Sequence, residues 1–151
     1  LTLYYNIFFT FGSYFMNLVF NFSLLGNFFL FLLSGLFCFS LAVYIYTKIT
    51  PYNEFKLIQE GNISAALSLG GTSIGIALPI VSLLSHAVNI LDVFIWVGLA
   101  VIIQLFAWVV INKFIFKSLS ADIIADKKSV GLSVGFLSLC VGLINYASLT
   151  Y

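Results

Sequence analysis

The chain has 151 residues, of which 62% are hydrophobic and only 7% charged, and a formal net charge of +1. Mean hydropathy is +1.16. A soluble domain carries about 25% charged residues, so a water-facing surface cannot be assembled here and lipid must be the solvent for most of the chain. There is no arginine and no lysine-rich polar face, which excludes nucleic acid as a partner.

The first 22 residues are apolar and aromatic but broken by Asn6, Thr10, Gly12 and Ser13. They read as an extra N-terminal helix, spanning or interfacial, or as an extension ahead of a start at Met16. The first charged side chain is Lys48, so the positive segment of a signal peptide is lacking. A first span is predicted over Leu24–Tyr46, with Tyr44 and Tyr46 at the depth of the headgroup belt. The polar stretch 47–62 follows. Thr50 and Pro51 read as N-cap and first position of a short helix, and Gly61 as its stop. Phe55, Leu57 and Ile58 alternate with Glu54, Lys56 and Glu60, the pattern of a helix lying in the membrane interface.

Asn62 is predicted to cap a second span over Ile63–Leu84, kinked late by Pro79. A short turn at His86–Asp92 leads to a third span over Val93–Phe116, which carries Trp96 and Trp108. The second polar connection, Lys117–Lys128, holds a short helix around Ile123 and Ile124 capped by Ser118 or Ser120. A fourth span covers Ser129–Thr150. The expected fold is therefore all-α, a polytopic membrane bundle with four core transmembrane helices. All six lysines lie in or beside the two long connections, so 48–62 and 113–128 are placed in the cytoplasm and the C-terminus outside.

A shift of 65 residues superposes Lys48 on Lys113, Ile58 on Ile123 and Gly70 on Gly135. A shift of 67 instead pairs Ser64, Ser68, Gly71 and Gly75 with Gly131, Gly135, Ser138 and Gly142, so the register stays open. The unit itself is a duplicated pair of spans, 23–86 and 87–151, within one membrane domain. Spans two and four each hold a GxxxG pair, Gly71/Gly75 and Gly131/Gly135. Lipid gives helices no hydrophobic reason to associate, and small residues let backbones approach closely enough to do so. These two spans are expected to pack face to face, their glycines serving packing or lining a narrow path.

Few residues offer chemistry. Asp92 is the acidic residue outside the lysine-bearing connections and reads as an anion at a helix N-terminus or the outer mouth of a cation path. His86 lies at the same edge. Gln104 and Asn145 are amides within spans and must find partners there. Cys38 and Cys140 read as small buried hydrophobes. No Ser–His–Asp set, carboxylate pair within a span, phosphate loop or metal-ligand spacing is present. The sequence thus predicts a non-enzyme without cofactor or metal.

The segments YTKITPYNE (46–54), LDVFIWVGLAVIIQLF (91–106) and GLINYA (142–147), with the small-residue stretch after Asn62, resemble the YjfL-type bacterial membrane proteins, a family of unknown function. The resemblance covers about residues 24–151. It implies a bacterial inner-membrane protein of duplicated two-span units, with Asn62, Pro79, Asp92, Gln104 and Asn145 at family motif positions. Lys127 and Lys128 stand where the family often has Asn-Thr, a departure that puts any cap or site there in doubt. The expected role is a structural or accessory membrane component, homo-oligomeric or bound to other membrane proteins. The alternative is a small channel or transporter subunit with Gly71, Gly75, Gln104 and Asn145 along the path.

Overall fold

A computed structural model describes residues 22–86 and 89–149. The N-terminal extension expected over 1–22 lies outside them, apart from Phe22. Among the described residues the regular elements are helices: α1 (Phe22–Ile49), α2 (Glu54–Gln59), α3 (Ile63–His86), α4 (Ile90–Val110), a π-turn (Ile111–Ile115), α5 (Leu119–Ile124) and α6 (Lys128–Ser148). Among the described residues four segments are long and apolar enough to cross a membrane: Leu24–Ile49, Ile63–His86, Ile90–Ile115 and Lys128–Ser148. The chain divides into two compact units, up to Ser34 and from Gly35 onward. In the first, the Ser34 hydroxyl donates back to the Leu30 carbonyl (2.6 Å). The second carries the rest of α1 and every later element.

Pro51 ends α1. It lacks an N–H and disfavours the helical region for the residue before it. Thr50 turns back rather than forward, its amide (3.1 Å) and hydroxyl (3.3 Å) both donating to the Tyr46 carbonyl. The short helix begins three residues later than expected. Its cap is Asn53, whose side chain accepts the Lys56 amide (3.0 Å), not Thr50.

Both short helices end in the same way. Gly61 (φ +88°) and Asp126 (φ +54°) take the left-handed conformation. The next amides, Asn62 and Lys127, reach back to the Leu57 (2.9 Å) and Asp122 (3.0 Å) carbonyls. This is a Schellman closure. Glu54 and Leu119 open the short helices, and Ile63 and Lys128 open the long ones that come after them, with the same 65-residue spacing.

Helices α3 and α6 run parallel and in backbone contact. A Cβ at Gly71 would overlap the Gly135 backbone, and one at Gly131 would overlap Ser64. A Cβ at Gly142 would strike the Gly75 backbone. Ser64–Gly131 and Gly75–Gly142 are pairs of the 67-residue shift. Gly71–Gly135 is offset by 64 instead, so 65 is the spacing of the elements, while the contacts across the seam scatter around it. At the lysine-bearing end, Tyr52, Ala65, Ile111, Leu119, Ile123 and Val134 form a buried cluster that ties α2 and α5 to the long helices. Large apolar side chains such as Phe37, Ile95, Ile102, Phe106 and Ile144 point outward, as they do when the solvent is lipid.

Candidate functional site

The N-terminus of α3 is closed from both halves of the chain. The Asn62 carboxamide oxygen accepts the Ala65 amide (2.7 Å), and its nitrogen donates to the Ile123 (2.8 Å) and Ile124 (3.3 Å) carbonyls. Asp126 accepts the Ser64 amide (2.7 Å), and the Ser64 hydroxyl donates to the Lys127 carbonyl (2.9 Å). Lys127 sits at the N-cap of α6 with no side-chain cap bond. Its ammonium instead pairs with Asp122, which also accepts from Ser118. These two contacts, Lys127 first, hold the Asp122 carboxyl below its usual range.

Between α4 and α6 the mid-span amides meet backbone. Gln104 donates to the Ser138 carbonyl (3.0 Å) and Asn145 to the Ala100 carbonyl (3.2 Å). Thr72 donates to the Ser138 hydroxyl (3.1 Å) and Ser82 to the Tyr146 carbonyl (3.3 Å). Pro79 is buried within α3. Asp92 lies exposed in the first turn of α4, apart from this group, and Asn89 caps that helix through the Leu91 amide (3.1 Å). His86 Nδ1 donates to the Ser82 carbonyl (2.8 Å). Cys38 is buried, but Cys140 is exposed on the outer face of α6, where an apolar environment suits a thiol equally well.

The least expected group lies where α1, the Pro51 turn and α3 meet. Tyr46, assigned from sequence to the headgroup belt, is 1% exposed. Glu54, assigned to the solvated face of an interfacial helix, is also 1% exposed, whereas its neighbour Phe55 is 55% exposed. The short helix thus presents its carboxylate inward. Burial comes first among the causes that raise the Glu54 carboxyl above the usual range; the Thr50 hydroxyl and Glu54's own amide oppose it. Burial likewise raises the Tyr52 phenol, helped by Tyr46 and by the Glu54 charge.

Tyr46 faces Thr72, Ser68 and Tyr52, and Tyr52 faces Ser68. The Tyr46 and Tyr52 hydroxyls, both Glu54 carboxylate oxygens and the Ser68 hydroxyl are buried without a hydrogen-bond partner. Gln104 Oε1 and Trp108 Nε1 are also unpartnered, and the Trp108 ring packs edge-on to Tyr46 at 6.3 Å. Buried polar groups are nearly always hydrogen-bonded, so this concentration marks the cluster out. Its sequence signal was the hydroxyl-rich run from Tyr46 to Glu54 around a helix-stopping proline, with Ser68 and Thr72 four residues apart on the following helix.

The profile of a family described as Domain of Unknown Function (DUF350) matches residues 19–149. The chain is 37% identical over 109 residues to the UPF0719 inner membrane protein YjfL of Escherichia coli K12, which covers 72% of this chain and 82% of that protein. The YjfL of Escherichia coli O157:H7 matches to the same extent. No solved structure matches significantly.

Proposed function

The chain belongs to the DUF350 family of unknown function, and from that premise we propose that it is a non-catalytic structural or accessory component of the bacterial inner membrane, assembling with itself or with other membrane proteins. One observation carries this reading: the α3–α6 seam is closed at backbone contact by Gly71, Gly131, Gly135 and Gly142. A bundle closed along this seam is suited to holding partners at its outer faces. The relatives named inner membrane protein YjfL support the inner-membrane location. The lysines of both long connections support a cytoplasmic side for them and an outer side for the C-terminus, by the positive-inside rule. The 65-residue spacing of the helices supports an origin by duplication of a two-span unit.

The test is affinity isolation of the full chain from native membranes in mild detergent. A stoichiometric membrane or peripheral protein, or a defined homo-oligomer with partners bound, is the expected result. The chain recovered as a monomer with nothing bound overturns the reading.

A small channel or transporter subunit is the second reading, favoured by the buried polar groups that run from Glu54 through Tyr46, Thr72 and Ser138 to Gln104. Ion flux from liposomes holding the purified chain, lost in Gln104→Leu and Asn145→Leu, would support it. Silence across several ions with the protein folded and inserted would remove it.

A further inference from the structure

Glu54, Tyr46, Tyr52 and Ser68 come from three consecutive pieces of chain: the end of α1, the turn at Pro51 with the start of α2, and α3. Each is more than nine-tenths buried. Together they offer five buried oxygen atoms without a hydrogen-bond partner. An ionised carboxylate in such a place needs a counter-charge or a proton. Among the described residues no lysine forms an ion pair with Glu54: Lys56 pairs with Glu60 (3.9 Å), Lys127 pairs with Asp122, and Lys48 and Lys113 lie over the Tyr44 (5.3 Å) and Phe114 (5.9 Å) rings. Among the described residues the titratable groups facing Glu54 are Tyr46 and Tyr52, and the Thr50 hydroxyl, just past the end of α1, lies beside it.

We propose that these four side chains form a binding site for one dehydrated monovalent alkali cation, held by the Glu54 carboxylate and the phenol and hydroxyl oxygens around it. The donor set is oxygen only, which suits hard cations. Among the described residues no three His, Cys, Asp or Glu side chains gather to hold a metal ion, so a transition metal finds no ligand set here. One carboxylate balances one positive charge. A divalent ion would leave a net charge in low-dielectric surroundings, where it is strongly penalised. A proton competes for the same carboxylate, so cation affinity falls as pH falls.

Trp108, edge-on to Tyr46, provides the readout. The full chain, carrying Trp96→Phe so that Trp108 is the sole tryptophan, is titrated in detergent with sodium chloride or potassium chloride, with choline chloride keeping ionic strength constant. The expected result is a saturable fluorescence change with an alkali ion and none with choline. Apparent affinity should weaken about tenfold per pH unit below the folded pKa of Glu54. The same ion should raise the unfolding temperature. Glu54→Gln should abolish both effects, and Tyr52→Phe should weaken affinity several-fold. An equal response to choline, or no alkali response from folded protein, overturns the proposal and leaves Glu54 a proton site only. Should Glu54→Gln fail to fold, Tyr52→Phe decides, and unchanged affinity in that variant overturns it.

Discussion

Asp126 accepts the Ser64 backbone amide at 2.7 Å, so a residue of the second half of the chain closes the N-terminus of the first half's glycine-rich helix. The same aspartate holds a left-handed turn (φ +54°) where the first half has Gly61 (φ +88°). Asp is among the few non-glycine residues that tolerate this region. Its side chain then crosses to α3, while Asn62 crosses the other way to the carbonyls that end α5.

Asp126→Ala should therefore destabilise the protein although it lies in a surface turn, by about 1–2 kcal/mol, the worth of a charged cap bond. Asn62→Ala should cost at least as much, because it removes an acceptor for Ala65 and a donor to two carbonyls. The double variant should fall short of the sum, since both residues hold the same helix start. Thermal unfolding in detergent reads all three, and a neutral Asp126→Ala would show that the cross-cap contributes nothing.

The glycines divide sharply. Gly142→Ala and Gly71→Ala drive a methyl into the backbone of the facing helix, and each should cost about 1–3 kcal/mol as overpacking. Gly70→Ala and Gly98→Ala meet nothing within 4 Å and should be neutral or slightly stabilising. A tolerant Gly142 beside a sensitive Gly70 would mean that the seam lies on another face of α3.

The four spans and both short helices were legible in the sequence, because apolar runs of some twenty residues have no other solution and Asn62 and Gly61 mark their ends by chemistry. The seam was legible in kind through Gly71 and Gly135, while its register was blurred because the contact offsets, 64 for Gly71–Gly135 and 67 for Ser64–Gly131, fall on either side of the element spacing. The buried cluster was not legible. Glu54 follows a helix-stopping proline in a stretch of alternating charge, and that local pattern is the one a solvated interfacial helix shows. Which face turns inward depends on where Pro51 and the Asn53 cap aim the chain, a tertiary matter. The π-turn at Ile111–Ile115 left no composition signal either.

Gln104 and Asn145 each give one hydrogen bond to the backbone of a neighbouring helix. Hydrogen bonds between membrane helices are worth about 0.6–2 kcal/mol. Gln104→Leu and Asn145→Leu should thus each lower stability by about 1 kcal/mol while the protein remains inserted and folded. Denaturant titration of the purified variants checks this, and a loss several times larger would mean that these amides hold more than one contact each.

Glu54 gives the pH dependence its direction. Its carboxyl is raised in the fold by burial, so the folded chain binds a proton more tightly than the unfolded chain does. Stability is then full at pH values below the ordinary carboxylate range. It falls as pH rises from that range through the raised folded value, and it is flat above. In buffer free of alkali ions, the unfolding temperature should drop across that window. Glu54→Gln keeps the shape and removes the charge, so its profile should be flat there and its stability at neutral pH higher than that of the parent. A parent profile that rises across the same window would mean that the ionised carboxylate is the favoured form and is satisfied within the protein. The inward face of α2 would then hold a counter-charge in place of an orphaned acid.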